Sequence, residues 1–112
     1  MELMCEHIGS VTIVILTGAQ LDASTAAEFK NSIAPVLAEH SQIVFDLNHL
    51  EFVDSSGLGV FLSCLRQVQA KGGDLKLCRV AKPVRALFEL VRMHKIFQIF
   101  DTQEEAIRAF QL

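Results

Sequence analysis

Short apolar runs at Val11–Thr17, Ile43–Leu47 and Leu75–Val80 alternate with segments whose apolar residues recur at helical spacing. Each run has strand length, and strands parted by helices of about 10 to 15 residues imply right-handed crossovers between parallel neighbours. The alternation therefore restricts the chain to an α/β architecture, a mostly parallel β-sheet with packed helices. In chain order the expected elements are β-β-α-β-α-β-α-β-α.

Residues 3–7 read as a first strand, and Ile8-Gly9-Ser10 as the turn into the run at 11–17, so the two are expected to pair as a hairpin. Gly18 punctuates the second strand. Asp22-Ala23-Ser24-Thr25 then precedes the stripe Phe29, Ile33, Val36 and Leu37, with Thr25 and Glu28 spaced as a capping box. Pro35 falls inside this helix; its missing N–H and its clash with the Asn31 carbonyl predict a kink or an early end. A further helix with Leu58, Phe61, Leu62, Leu65 and Val68 on its apolar face is expected to stop at Lys71-Gly72-Gly73, where glycine suits a left-handed cap. Pro83 suits the first turn of a third helix, with Val84, Leu87, Phe88 and Val91 inward. Ile96–Phe100 reads as a strand. Asp101-Thr102 with Glu105 is spaced to cap a last helix carrying Ala106, Ile107 and Phe110.

The chain of 112 residues is long enough for one core and short for two, so residues 1–112 are read as a single domain. Hydrophobic residues make up 51% and charged residues 21%, which is ordinary globular usage. No apolar run approaches the roughly 20 residues that cross a bilayer, and the first residues lack the pattern of a secretion signal. A cytoplasmic address is expected, with no membrane contact. Cys5, Cys64 and Cys78 are odd in number and widely spaced, as for reduced thiols, with Cys64 and Cys78 in the core. The net charge of -3 and the scattered Lys and Arg argue against a nucleic-acid surface.

Between the strand at 43–47 and the helix from Leu58 lies Asp54-Ser55-Ser56-Gly57-Leu58-Gly59, an acid, two hydroxyls and two glycines at a helix N-terminus. A phosphate-binding loop would need a Lys after its last glycine, and a dinucleotide fingerprint would need glycine at Leu62. A nucleophile elbow, Gly-x-Ser-x-Gly, lacks its first glycine around either serine. His7, His40, His49 and His94 fall in separate elements, without metal-ligand spacing. No enzyme, metal or cofactor is expected.

Two readings of the corner remain. Asp54 or Ser55 caps the helix, a contribution of about 1 kcal/mol; or a serine accepts phosphate, whose charge of about -1.5 to -2 a helix N-terminus tolerates. In the second reading the dipole contributes on the order of 0.3 to 1 kcal/mol. Charge conflict across a docked interface costs roughly 2 to 5 kcal/mol, so modification would act on partner binding more than on folding.

The Asp54–Gly59 hexapeptide, Thr17-Gly18 before Leu21-Asp22, Lys71-Gly72-Gly73 before a strand, and the closing Lys95–Phe97 to Glu105-Ala106 segment together resemble the anti-sigma factor antagonists of the STAS domain family. The resemblance covers nearly the whole chain and implies a single STAS-like domain in a bacterial partner-switching circuit. Unphosphorylated, such a protein binds an anti-sigma factor that is also a serine kinase, which frees a sigma factor. The kinase uses ATP to phosphorylate the serine corresponding to Ser55, and a Ser/Thr phosphatase reverses the step. By the same resemblance Asp54, Ser56, Gly57 and Leu58 belong to the partner-binding surface, with Asp22 on a neighbouring loop. The eight Phe residues read mostly as core, with Phe52 and Phe61, close to the motif in sequence, expected at the border of that surface. Ala19-Gln20 and Met93-His94 depart from the family pattern. A non-switching STAS subunit of a larger assembly, such as a lipid-transport ATPase complex, is the alternative, and a small serine hydrolase a third.

Overall fold

The computed structural model describes residues 3–111. Along the chain run β1 (Leu3–Ile8), β2 (Val11–Leu16), β3 (Gln20–Leu21), α1 (Ala26–Glu39), β4 (Gln42–Asp46), β5 (Phe52–Val53), α2 (Ser55–Ala70), β6 (Asp74–Cys78), α3 (Lys82–Leu90), a 3-10 turn at Met93–Lys95, β7 (Ile99–Phe100) and α4 (Gln103–Phe110). The main sheet has the order β1-β2-β4-β6-β7. β1 and β2 form the expected antiparallel hairpin, Ile8 opposite Val11 across a turn in which Gly9 takes the left-handed conformation. β2, β4, β6 and β7 are parallel neighbours, with Val14 opposite Phe45 and Phe45 opposite Leu77.

The period of two along each strand divides the apolar residues between two layers. Val14, Leu16, Ile43, Phe45, Leu75 and Leu77 join α1, α2 and α3 in the larger core; Val11, Ile13, Val44 and Cys78 join Ala106 of α4 in the smaller one. Phe29, Phe45, Phe61 and Phe88 meet in the larger core, Phe29 edge-on to Phe45 at 5.9 Å and Phe61 edge-on to Phe88 at 6.3 Å, the arrangement that ring quadrupoles favour. Cys64 and Cys78 are buried in the core as expected, and that burial pushes both thiols up to about 12. Cys5 is exposed on the edge strand β1.

The helix ends show how local sequence sets the boundaries. α2 closes in a Schellman motif: the Gly73 N–H donates to the Val68 carbonyl at 2.9 Å and the Gly72 N–H to that of Gln69 at 3.0 Å, with Gly72 left-handed at φ +81°. The Thr102 hydroxyl accepts from the Glu105 N–H at 3.1 Å, which caps α4.

Elsewhere tertiary context prevails over local signals. Thr25 makes no capping bond to α1; its hydroxyl instead accepts from the Asp22 N–H at 3.0 Å. α1 does not stop at Pro35 and runs on to Glu39, because Phe29, Ile33 and Leu37 bury one continuous face. β6 ends at Cys78, since Arg79 is left-handed at φ 55°, and Val80 lies outside it. The strand expected at 96–100 shortens to Ile99–Phe100: the Ile96 and Phe97 N–H groups both donate to the Met93 carbonyl and close a turn. Val91 lies beyond α3 and is exposed. β3 and β5 are additions to the expected order and form a separate parallel ribbon.

Candidate functional site

The ribbon brings two distant stretches together. Gln20 lies opposite Phe52 and Leu21 opposite Val53. The Ala19 carbonyl accepts from the N–H groups of Glu51 at 2.7 Å and Phe52 at 3.1 Å, and the Leu21 carbonyl from that of Asp54 at 3.2 Å. The loop after β3 is thereby set against the first turn of α2.

Asp54 is the N-cap of α2. One carboxylate oxygen, Oδ1, accepts from the Gly57 N–H at 3.1 Å, satisfying one of the donors that a helix start leaves unpaired. The other, Oδ2, accepts from the Ala23 N–H at 3.0 Å. One side chain thus caps the helix and pins the loop. Asp22 organises that loop from within: its Oδ1 accepts from the Ser24 hydroxyl at 2.7 Å and from the N–H groups of Ser24 at 3.0 Å and Thr25 at 3.2 Å. These donors favour the ionised form, the Ser24 hydroxyl most, and hold the Asp22 carboxyl below its ordinary value.

Ser55 and Ser56 open the helix, and both are exposed. Neither hydroxyl has a hydrogen-bond partner among the described residues. Gly57 is buried: a Cβ there would collide with the Leu21 carbonyl oxygen and fall 2.9 Å from Val53 Cγ1. Its place in the site is to let the loop and the helix touch. Gly59 faces open space. Leu58 is half-buried and packs against the larger core. Phe52 is 51% exposed on the ribbon, whereas Phe61 is 0% exposed, a core residue instead of a border one. Ser55 therefore sits on a hydrogen-bonded corner between Asp54 and Ser56, with Asp22 on the adjoining loop.

The described ion pairs lie elsewhere: Lys76 with Asp74, Arg79 with Asp46, and Arg85 with Asp101. Asp54 and Asp22 place two carboxylates at the corner, and none of the described ion pairs involves either. The one described histidine side-chain hydrogen bond joins His7 to Thr12, so no imidazole is set to activate either serine among the described residues. No group of three metal-ligating side chains occurs among them, and no described helix is long and apolar enough to cross a membrane.

The helix boundary at Asp54 and the two serines was legible in the sequence, whereas the ribbon and the Ala23 amide were not, because they depend on pairing across about thirty positions. The turn around Asp22 did leave a local signal, because an Asp side chain readily accepts from the backbone N–H two residues on.

A five-stranded, mostly parallel sheet covered by helices on both faces, with an exposed serine pair beside a capped helix start, is the α/β class that this chain represents. The STAS domain model matches residues 2–106, and the chain belongs to the STAS domain family. Within it the chain is similar to the anti-sigma F factor antagonist of Paenibacillus polymyxa, at 34% identity over all of this chain and 97% of that protein. Its fold matches the crystal structure of an anti-sigma factor antagonist from Mycobacterium paratuberculosis, at TM-score 0.87 and 24% identity over 99% of this chain and 94% of that one. It also matches the Bacillus cell fate determinant SpoIIAA in its phosphorylated form, at TM-score 0.71 and 23% identity over 97% and 99% of the two chains.

Proposed function

We propose that this protein is an anti-sigma factor antagonist switched at Ser55. Unmodified, it binds an anti-sigma factor that is also a serine kinase, and so frees a sigma factor for RNA polymerase. The kinase transfers the γ-phosphoryl group of ATP to the Ser55 oxygen, with loss of the hydroxyl proton, and a Ser/Thr phosphatase restores the hydroxyl by hydrolysis. The protein is a substrate and a binding partner, with no catalysis of its own, and acts in the cytoplasm.

The observation that carries this reading is the exposed, unbonded Ser55 hydroxyl at the first turn of a helix whose cap is already supplied by Asp54. Phosphate there leaves the cap and the loop bonds in place, since none of them uses Ser55. It adds about -1.5 to -2 of charge beside Asp54 and Asp22, on the surface the partner must cover. Asp54, Ser56 and Leu58 surround the acceptor, Asp22 shapes the adjoining loop, and Gly57 holds the two together. Similarity to a named anti-sigma F factor antagonist supports the partner class, and SpoIIAA, a protein of the same fold, has been solved carrying phosphate.

The deciding experiment incubates the protein with ATP and the anti-sigma factor kinase encoded in the same genome, followed by peptide mass spectrometry. One phosphate on Ser55 is expected, and none on the Ser55→Ala variant. Absence of phosphate at Ser55 overturns the reading.

A further inference from the structure

A second surface runs along the open edge of the main sheet. β7 is the last strand in the sheet order and, among the described residues, has β6 as its sole neighbour. The N–H groups of Leu77 and Arg79 donate to the carbonyls of Gln98 at 3.0 Å and Phe100 at 3.1 Å. In a parallel ladder of this register the residue between them turns its own N–H and C=O outward, so Ile99 presents an unused donor and acceptor at the edge.

Those groups face a groove of about 680 Å³ between α3 and the segment 94–100. Ile96, 50% exposed, supplies apolar surface beside Ile99. Arg85, His94 and Lys95 line the groove against a single acid, Glu89. Arg85 reaches Asp101 at 3.4 Å, a weak and exposed pair, while Lys95 has no ion-pair partner among the described residues. Cations gathered here stand out on a chain whose net charge is -3.

We propose that this groove binds an extended acidic segment of a partner protein by strand addition to β7. An incoming strand would bond the Ile99 N–H and C=O, lay its apolar side chains over Ile96 and Ile99, and place its carboxylates near Arg85 and Lys95. Backbone pairing supplies affinity in this mode and the flanking pockets and charges supply selectivity. The occupant is an acidic protein segment because the exposed edge calls for a partner with its own backbone donors and acceptors, and the cations call for carboxylates. None of the groove residues involved belongs to the Ser55 corner.

The test titrates the ¹⁵N-labelled full chain with a capped peptide, acetyl-Val-Glu-Val-Glu-Val-amide, and with its Lys-for-Glu counterpart. The acidic peptide is expected to shift the amide signals of residues 98–100 and of Arg85 and Lys95, and to slow exchange of the Ile99 N–H at least tenfold at saturation. The Arg85→Glu/Lys95→Glu double variant is expected to lose at least tenfold in affinity. Ile99→Pro, which deletes the outward donor and none of the bonds to β6, tests the edge itself; circular dichroism verifies that each variant is folded. Equal binding of the two peptides, shifts centred elsewhere, unchanged Ile99 exchange, or the same shifts produced by free glutamate would overturn the proposal. So would self-association through β7 in the absence of peptide.

Discussion

The Asp54 carboxylate accepts the Ala23 amide at 3.0 Å, a bond between residues 31 positions apart that fixes the loop after β3 to the start of α2. Because the same side chain also caps the helix, Asp54→Ala removes two hydrogen bonds at once. A loss of about 1.5 to 3 kcal/mol of stability is expected from a cap plus a charge-assisted bond. Urea denaturation measures it, and faster amide exchange at Ala23 locates it. Asp54→Ser, which retains a capping oxygen with too short a reach for both partners, should recover about half.

Gly57 and Gly59 lie on the same helix two residues apart and predict opposite outcomes. Gly57→Ala drives a methyl into the Leu21 carbonyl and the Val53 side chain, a backbone collision expected to cost about 1 to 3 kcal/mol. Gly59→Ala meets nothing within 4 Å and should stabilise the helix by about 0.5 to 1 kcal/mol. Thermal unfolding of the two variants side by side is sufficient; a destabilised Gly59→Ala together with a neutral Gly57→Ala contradicts this packing.

For the switch itself, binding of three forms to the anti-sigma factor kinase is compared by calorimetry. Wild type and Ser55→Ala should bind alike, and Ser55→Asp more weakly by about 30-fold or more, the equivalent of about 2 kcal/mol of charge conflict at the interface. The Asp variant should unfold within about 0.5 kcal/mol of wild type, since the Ser55 side chain makes no bond among the described residues and a carboxylate near a helix start is tolerated. Equal affinity of all three forms would sink the switching mechanism.

Acid should loosen the loop before it unfolds the sheet. The Asp22 carboxyl is held below its ordinary 3.8, chiefly by the Ser24 hydroxyl. A depressed carboxyl contributes stability that is present above the ordinary value and lost as pH falls through the folded one. The loop bonds should therefore be intact at neutral pH and weaken below about pH 4. Carboxyl-carbon NMR reads the titration directly, and Ser24→Ala should bring Asp22 back toward its ordinary value. A titration unchanged in Ser24→Ala contradicts the assignment.

The parts of this fold that were legible in the sequence are those set within a few residues. Gly72-Gly73 ended α2 and Thr102 with Glu105 began α4 as their spacing indicated, because caps are local chemistry. The alternation of runs gave the sheet, since a buried strand needs a run of apolar residues wherever it lies. What escaped depends on distant partners. β3 and β5 are two residues each, too short for any period, and exist through pairing with one another. Asp46 is 0% exposed at the end of β4, where it accepts from Gln103 Nε2 at 2.6 Å and pairs with Arg79 at 3.2 Å. In the sequence it is an acid within an apolar run, its partners 33 and 57 positions away. At the candidate site the sequence placed the serines at the helix start, and the structure added the loop that frames them.

The main sheet runs β1-β2-β4-β6-β7, and that spatial order repeats the order of synthesis. On a ribosome, where the N-terminus emerges first, the neighbour of each strand is synthesised before it. No later strand has to be inserted between two that are paired, so assembly never requires an earlier step to be undone. The hairpin Leu3–Leu16 needs only contacts close in sequence, whereas each later strand of the sheet closes a longer loop onto a neighbour that precedes it in the chain.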